Sequence, residues 1–258
     1  NVHYASNIVN LQREAYTLVG DVLRSRAPDY WKSKFLPARD AYLEAETARL
    51  FQQALPRAHV LTNVKYPVGA DGEAEADIVV LFDDLLLVVE CKAGRLDAAT
   101  KRGAEKKIVS DLKETIAGGL NQAERFVRQL VSRGVMKVKT GASATEVSLN
   151  VLHFRYVMRI NVTLDLVSVA ATELWKLEEA GLVESVERGW SVSLNDLRVV
   201  VDILDQPAVF VHYLLRRLDL NILRSVHAGD ELGYRMRYVR HGVFFREANA
   251  RKESERLT

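Results

Sequence analysis

The stretch Asp77-Ile78-Val79-Val80-Leu81-Phe82-Asp83-Asp84-Leu85-Leu86-Leu87-Val88-Val89-Glu90-Cys91-Lys92 decides how this chain is read. Its two apolar runs, Ile78 to Phe82 and Leu85 to Val89, are continuous rather than alternating, as in strands covered on both faces. Asp83-Asp84 forms the tip of the hairpin, so Phe82 pairs with Leu85 and the register carries Asp77 opposite Glu90. Side chains facing each other across a ladder have β-carbons only ~4.5–5.5 Å apart. Strand alternation then puts Lys92 on the face of Glu90 and Cys91 on the other.

Two carboxylates at that spacing repel one another, and each is costly to desolvate alone. A hard divalent cation such as Mg²⁺ resolves the conflict, because it takes carboxylate and carbonyl oxygens. A neighbouring lysine can orient or deprotonate a water, or stabilise charge developing on a phosphate. Asp77 with Glu90-x-Lys92 is therefore a coherent set for metal-assisted phosphodiester cleavage. The spacing fits equally well an ion pair between Lys92 and the carboxylates at a sheet end.

Working outward, an amphipathic helix is expected over residues 3–25, with Ile8, Leu11, Ala15, Leu18, Val19 and Val22 at helical spacing. Pro28 and Pro37 bracket an expected loop holding Tyr30, Trp31 and Phe35. A helix from about Arg39 to Leu55 carries Leu43, Thr47, Leu50, Phe51 and Ala54 on one face, and strands are expected over 58–68, 74–82 and 85–92. A basic connection from Gly94 to Lys107 leads into a helix over about 108–133, loosened near Gly118-Gly119. A strand is expected over 150–162, a helix over 167–180 and a short strand over 190–193. Ser193 and Asp196 resemble a capping box opening a helix over 196–204, and Pro207 breaks the pattern before helices near 209–223 and 230–241. This order predicts an α/β core over 39–162, an N-terminal helix and loop over 1–38, and a mostly helical region over 163–258.

The 258 residues, 48% hydrophobic and 27% charged, exclude disorder, collagen-like sequence and coiled coil as readings of the whole chain. No apolar run approaches the ~18–20 residues of a membrane span, and no basic-then-apolar signal segment opens the chain. It begins at Asn1 rather than Met, leaving room for preceding sequence. The single cysteine excludes an internal disulfide and fits a reducing, cytoplasmic compartment. Net charge is only +2, yet residues 92–139 hold twelve Lys/Arg against five Asp/Glu, and 212–258 hold ten against six. Such clustering builds a basic face despite a near-neutral total. The six histidines show no zinc spacing, no phosphate loop ends in Gly-Lys-Ser/Thr, and Cys91 on a core strand is read as packing rather than a thiol nucleophile paired with His153.

The segment Glu44 to Phe126, about a third of the chain, resembles the PD-(D/E)XK nuclease superfamily and within it the nuclease-related-domain (NERD-like) group. The residues that carry the resemblance are Glu44 or Glu46 on the helix, Asp77, Glu90-Cys91-Lys92, and Gln122-Ala123-Glu124-Arg125-Phe126 on the following helix; Ala76 stands where the family usually has proline. The resemblance implies a restriction-endonuclease-like core of helix, three strands, helix and strand. It also implies that Asp77, Glu90 and the Cys91 backbone carbonyl bind Mg²⁺, for which Mn²⁺ substitutes, and that Lys92 is the catalytic lysine. A helix glutamate assists; Glu44 and Glu46 lie on opposite flanks of the apolar stripe, so helical phase does not choose, while the family pattern favours Glu44. Gln122 would face the active site.

The expected function is metal-dependent hydrolysis of phosphodiester bonds in nucleic acid, DNA more than RNA, with no membrane partner. Lys101, Arg102, Lys106 and Lys107 follow the site closely and are expected to line the path of the substrate backbone. Two other readings fit the same residues: a non-catalytic nucleic-acid-binding module, and a structural or interaction domain with an ion-pair network at these positions.

Overall fold

The computed structural model describes residues 18–69, 72–94, 104–141, 143–167, 169–219 and 228–241. The chain divides into two compact units between Tyr42 and Leu43. In the first, residues 18–26 are helical; of the helix expected over 3–25, residues 3–17 lie outside the described residues. The loop expected between Pro28 and Pro37 is helical instead: an α turn, Pro28–Tyr30, runs through a π turn, Trp31–Phe35, into helix α1, Leu36–Ala54. Pro28 sits at the first helical position, where its missing N–H costs nothing. The π turn, closed by Leu36 N–H donating to Trp31 O, comes directly before Pro37 and widens the helix where a proline ring would crowd the preceding turn.

The second unit is built on one seven-stranded mixed sheet in the order β5-β4-β1-β2-β3-β6-β7. Its strands are β1 His59–Val68, β2 Gly72–Phe82, β3 Leu85–Lys92, β4 Val135–Thr140, β5 Thr145–Asn150, β6 Tyr156–Thr163 and β7 Gly189–Ser193. β1, β2 and β3 run antiparallel in sequence, whereas β3, β6 and β7 are mutually parallel. The crossover from β3 towards β6 contains α2, Glu105–Leu112, a π turn over Lys113–Ala117, and α3, Gly118–Arg133. The loosening expected near Gly118-Gly119 is this π turn.

The hairpin of β4 and β5 is absent from the sequence-based expectation, and its pattern shows why. Only Met136, Val138 and Leu149 of these two short strands are buried, and lysines, threonines and a glutamate fill most of the rest. The strand expected from Asn150 begins only at Tyr156, because Val151–His153 forms a 3₁₀ turn capped by the Asn150 side chain. The helix expected over 167–180 is split into a turn, Val169–Thr172, and α4, Leu174–Glu179. Helix α5, Leu194–Ile203, has Ser193 as its N-cap, the hydroxyl accepting from Asp196 N–H at 3.1 Å. Pro207 opens α6, Pro207–Arg217, rather than interrupting it. The 209–223 expectation runs beyond α6, and residues 220–227 lie outside the described residues. Helix α7 is Glu231–His241.

Both sheet faces are covered, as the apolar runs require. Ala123, Phe126 and Leu130 of α3 pack on Val79, Leu86, Val88, Met136 and Val138. Leu50 and Phe51 of α1, Val200 of α5 and Phe210 and Leu214 of α6 pack with Ile78, Val80, Leu87, Val89 and Ile160 on the other side. The result is an α/β arrangement with an open mixed sheet between helical layers. Among the described residues no helix is long and apolar enough to cross a membrane.

Candidate active site

The hairpin has the register read from its tip, with Phe82 paired to Leu85 through to Ile78 paired with Val89. One step further, at Asp77 and Glu90, backbone pairing gives way to side-chain chemistry. The Asp77 carboxylate accepts the Cys91 backbone N–H at 2.7 Å, replacing a ladder carbonyl. On the other side of β2, pairing with β1 is recorded at Thr62–Ile78 and again at Val64–Ala76, with Asn63 between them in the left-handed region at φ 50°. Asparagine tolerates that conformation better than most residues. The sheet is therefore locally distorted at the level of Asp77.

Glu90 ends the apolar run of β3 with 2% of its surface exposed. One carboxylate oxygen, Oε2, lies 3.6 Å from Lys92 Nζ; the other, Oε1, has no hydrogen-bond partner among the described residues. Burial, reinforced by the negative charge of Asp77, pushes the Glu90 carboxyl up to about 8, against the pull of Lys92 and Arg125. Lys92 is half-buried and donates a hydrogen bond to Gln122 Oε1 from α3. Its ammonium is thus held between a strand carboxylate and a helix amide.

Cys91 points to the opposite face, where its side chain meets the Thr47 hydroxyl. Burial and then the charge of Asp77 push its thiol well up, with Glu44 and Glu90 adding to the effect, so it is held as a thiol rather than a nucleophilic thiolate. That coupling also separates the two helix glutamates. Glu44 acts electrostatically on Cys91, whereas Glu46 is engaged by Arg49 at 2.8 Å and by Arg198 at 2.9 Å. The hydrogen bond from Arg49, aided by Arg198, holds the Glu46 carboxyl down at about 2.

Helix α3 is brought to the strand ends by a close contact with β6. Asn161, fully buried and paired in register with Glu90, donates from Nδ2 to Thr115 O in the π turn and to Ser191 Oγ on β7, both at 3.0 Å. Gly119 lies against this amide one helical turn before Gln122. Of the expected backbone-binding residues, Lys101 and Arg102 lie outside the described residues, Lys106 is exposed on α2, and Lys107 pairs with Asp111 at 2.9 Å.

Asp77, Glu90 and the Cys91 carbonyl suit a hard cation in their donor chemistry. The buried, unpartnered Glu90 oxygen, held against ionisation by burial and then by Asp77, is the group that such an ion would satisfy. No group of three or more His, Cys, Asp and Glu side chains gathers to hold a metal among the described residues. The candidate set has two such carboxylates and a main-chain oxygen.

Arg125 and Asn161 are members of this neighbourhood that residue patterns left without a role. Arg125 follows Gln122 by three residues, the spacing that puts two side chains on one helix face, and this was the available clue. Asn161 had none, because a polar residue in an apolar strand does not disclose which helix it meets.

No protein-family model matches the chain, and no curated protein matches it. The crystal structure of protein VC1899 from Vibrio cholerae aligns with 69% of this chain at a TM-score of 0.30 and 14% identity. The alignment covers 34% of that protein, so the chain spans about a third of its length.

Proposed function

We propose that this chain is a metal-dependent nuclease with the restriction-endonuclease-like core of the PD-(D/E)XK superfamily, hydrolysing phosphodiester bonds in DNA in preference to RNA. The observation that carries the reading is the setting of Lys92, whose ammonium is held by Gln122 beside the buried Glu90 while Asp77 stands at the same level of the hairpin. A purely structural ion pair fits this less well. Such a pair at 3.6 Å leaves one Glu90 oxygen buried without a partner, and a buried polar group left without a hydrogen bond is destabilising.

In this reading Asp77, Glu90 and the Cys91 carbonyl hold Mg²⁺ or Mn²⁺, which when bound supplies Lewis acidity and a more acidic water. Lys92 presents its ammonium to the phosphate or to the attacking water, and Gln122 keeps that ammonium from collapsing onto Glu90. Glu44 contributes negative charge from α1. Lys106, with Lys101 and Arg102, serves the substrate backbone, while Lys107 is offset by its pairing with Asp111.

The test is incubation with linear, circular and single-stranded DNA and with RNA, in Mg²⁺, Mn²⁺ or chelator. Metal-dependent cleavage of DNA is expected. Salt-sensitive binding with no cleavage under any condition would replace the proposal with a binding module, and neither binding nor cleavage would leave a structural domain.

A further inference from the structure

Arg125 is a second cation of the site, and its surroundings differ from those of Lys92. It lies on α3 one turn beyond Gln122, and its side chain is exposed. Its Nε donates to the Tyr66 hydroxyl at 3.1 Å, its one hydrogen bond among the described residues. Tyr66 is itself a fixed support: it is 1% exposed on β1, and its ring meets Phe126 edge to face with centroids 4.8 Å apart. The guanidinium is thus anchored by its inner nitrogen, and both terminal amino groups remain available. The charges of Arg125 and Glu90 act on one another, and Tyr66 responds to both. One bidentate cation is therefore poised near the carboxylates while Lys92 is already occupied by Gln122.

We propose that Arg125, oriented by Tyr66, is a phosphate clamp that binds a backbone phosphate of the nucleic acid beside the bond to be cut. A guanidinium with two free, coplanar amino groups matches two phosphate oxygens, which an ammonium does not. Holding Nε on a buried hydroxyl fixes the plane of the fork before the substrate arrives, so less side-chain freedom is lost on binding. The inference rests on the nuclease reading for the identity of its ligand, but it concerns binding and is testable without turnover.

The experiment measures anisotropy of fluorescein-labelled duplex and single-stranded DNA in EDTA over a series of salt concentrations. Arg125→Ala is expected to weaken binding by roughly tenfold and to lower the log–log salt slope by ~0.7–0.9, the loss of one phosphate contact. Arg125→Lys should recover the slope but only part of the affinity, because charge is restored without the fork. Tyr66→Phe, which keeps the charge and removes the anchor, should lose affinity with an unchanged slope. Arg125→Ala binding with wild-type affinity and slope overturns the clamp, as does failure of the wild type to bind either DNA. Wild-type binding that depends on Arg125, with no cleavage in Mg²⁺ or Mn²⁺, overturns the nuclease reading and leaves the clamp standing.

Discussion

A β-carbon on Gly119 would lie 2.0 Å from Asn161 Oδ1, far inside van der Waals contact, so α3 rests on β6 at a distance only glycine permits. Asn161 cannot swing aside cheaply, because its Nδ2 holds Thr115 O and Ser191 Oγ within a buried layer. Gly119→Ala should therefore lift α3 and cost about 1–3 kcal/mol, the usual range for overpacking. Because Gln122 follows one turn later, the displacement should also loosen its bond to Lys92. Adding Asn161→Ala removes the obstructing oxygen. Denaturant unfolding of the two single variants and the double should show coupling of ~0.5–3 kcal/mol. Strictly additive losses would mean that the two residues do not oppose each other.

Lys92 and Gln122 should separate by the size of their effects. Lys92→Ala removes the ammonium and is expected to lower the cleavage rate by ~10²-fold or more, the usual cost of a lost general-base or electrostatic group. DNA affinity in EDTA should change little, since Lys92 is largely occupied within the protein. Gln122→Ala leaves the ammonium free to approach Glu90 and should cost less, roughly tenfold, with Gln122→Glu worse than Ala because it would pair with the lysine. Single-turnover rates at saturating DNA give the comparison, and full activity in Lys92→Ala would make the lysine structural.

How far the sequence discloses the fold depends on how one-sided each pattern is. The 78–89 hairpin is legible because both strands are apolar throughout and Asp83-Asp84 leaves one turn position, with Asp83 at φ 49°. β4 and β5 are not, because short strands near the sheet edge with one sparsely buried face resemble a charged loop. Prolines are ambiguous in one consistent direction: Pro28 and Pro207 look like breaks in the sequence, yet each stands where a helix starts. At the candidate site, the hairpin register brings Asp77 and Glu90 to the same level, although backbone pairing stops one step short, at Ile78 and Val89. The pairing of Glu46 with Arg198 is not legible, because the two are 152 residues apart in sequence and so outside any local pattern.

That pair of glutamates carries the next prediction. Glu46 has a depressed carboxyl, near 2 against an ordinary 4.5, so it releases its proton more readily folded than unfolded. Its stabilising contribution is complete above pH 4.5 and is lost as the pH falls towards 2. Glu46→Gln should destabilise by about 1–2 kcal/mol at pH 7, allowing for solvent screening of its arginine partners, and by progressively less in acid. Cleavage should survive. Glu44→Gln should instead reduce cleavage. Thermal melts from pH 2.5 to 7 alongside rate measurements decide it, and an exchange of the two phenotypes would move the helix contribution to Glu46.

Glu90 behaves with the opposite sign. Its carboxyl is raised from 4.5 to about 8, so between those values the metal-free folded chain keeps a proton that the unfolded chain has released. Stability from this group is therefore full below pH 4.5, falls as the pH rises towards 8, and levels off above it. At about 1.4 kcal/mol per unit, the whole span corresponds to roughly 3–5 kcal/mol as an upper bound. Glu90→Gln removes the titration, so in EDTA it should melt progressively higher than the wild type as the pH is raised from 5 to 8.5. Mg²⁺ should reverse that order, because an ion bound only by the folded state stabilises by mass action and the glutamine lacks the charge to hold it. Asp77→Ala should also lose the Mg²⁺ gain, while its EDTA curve falls less steeply because the charge that opposes ionisation is gone and burial alone remains. Differential scanning fluorimetry of the three proteins, with EDTA or Mg²⁺ at each pH, provides the measurement. Parallel wild-type and Glu90→Gln curves in EDTA would show that Glu90 ionises without penalty, and an undiminished Mg²⁺ gain in Asp77→Ala would place the ion elsewhere.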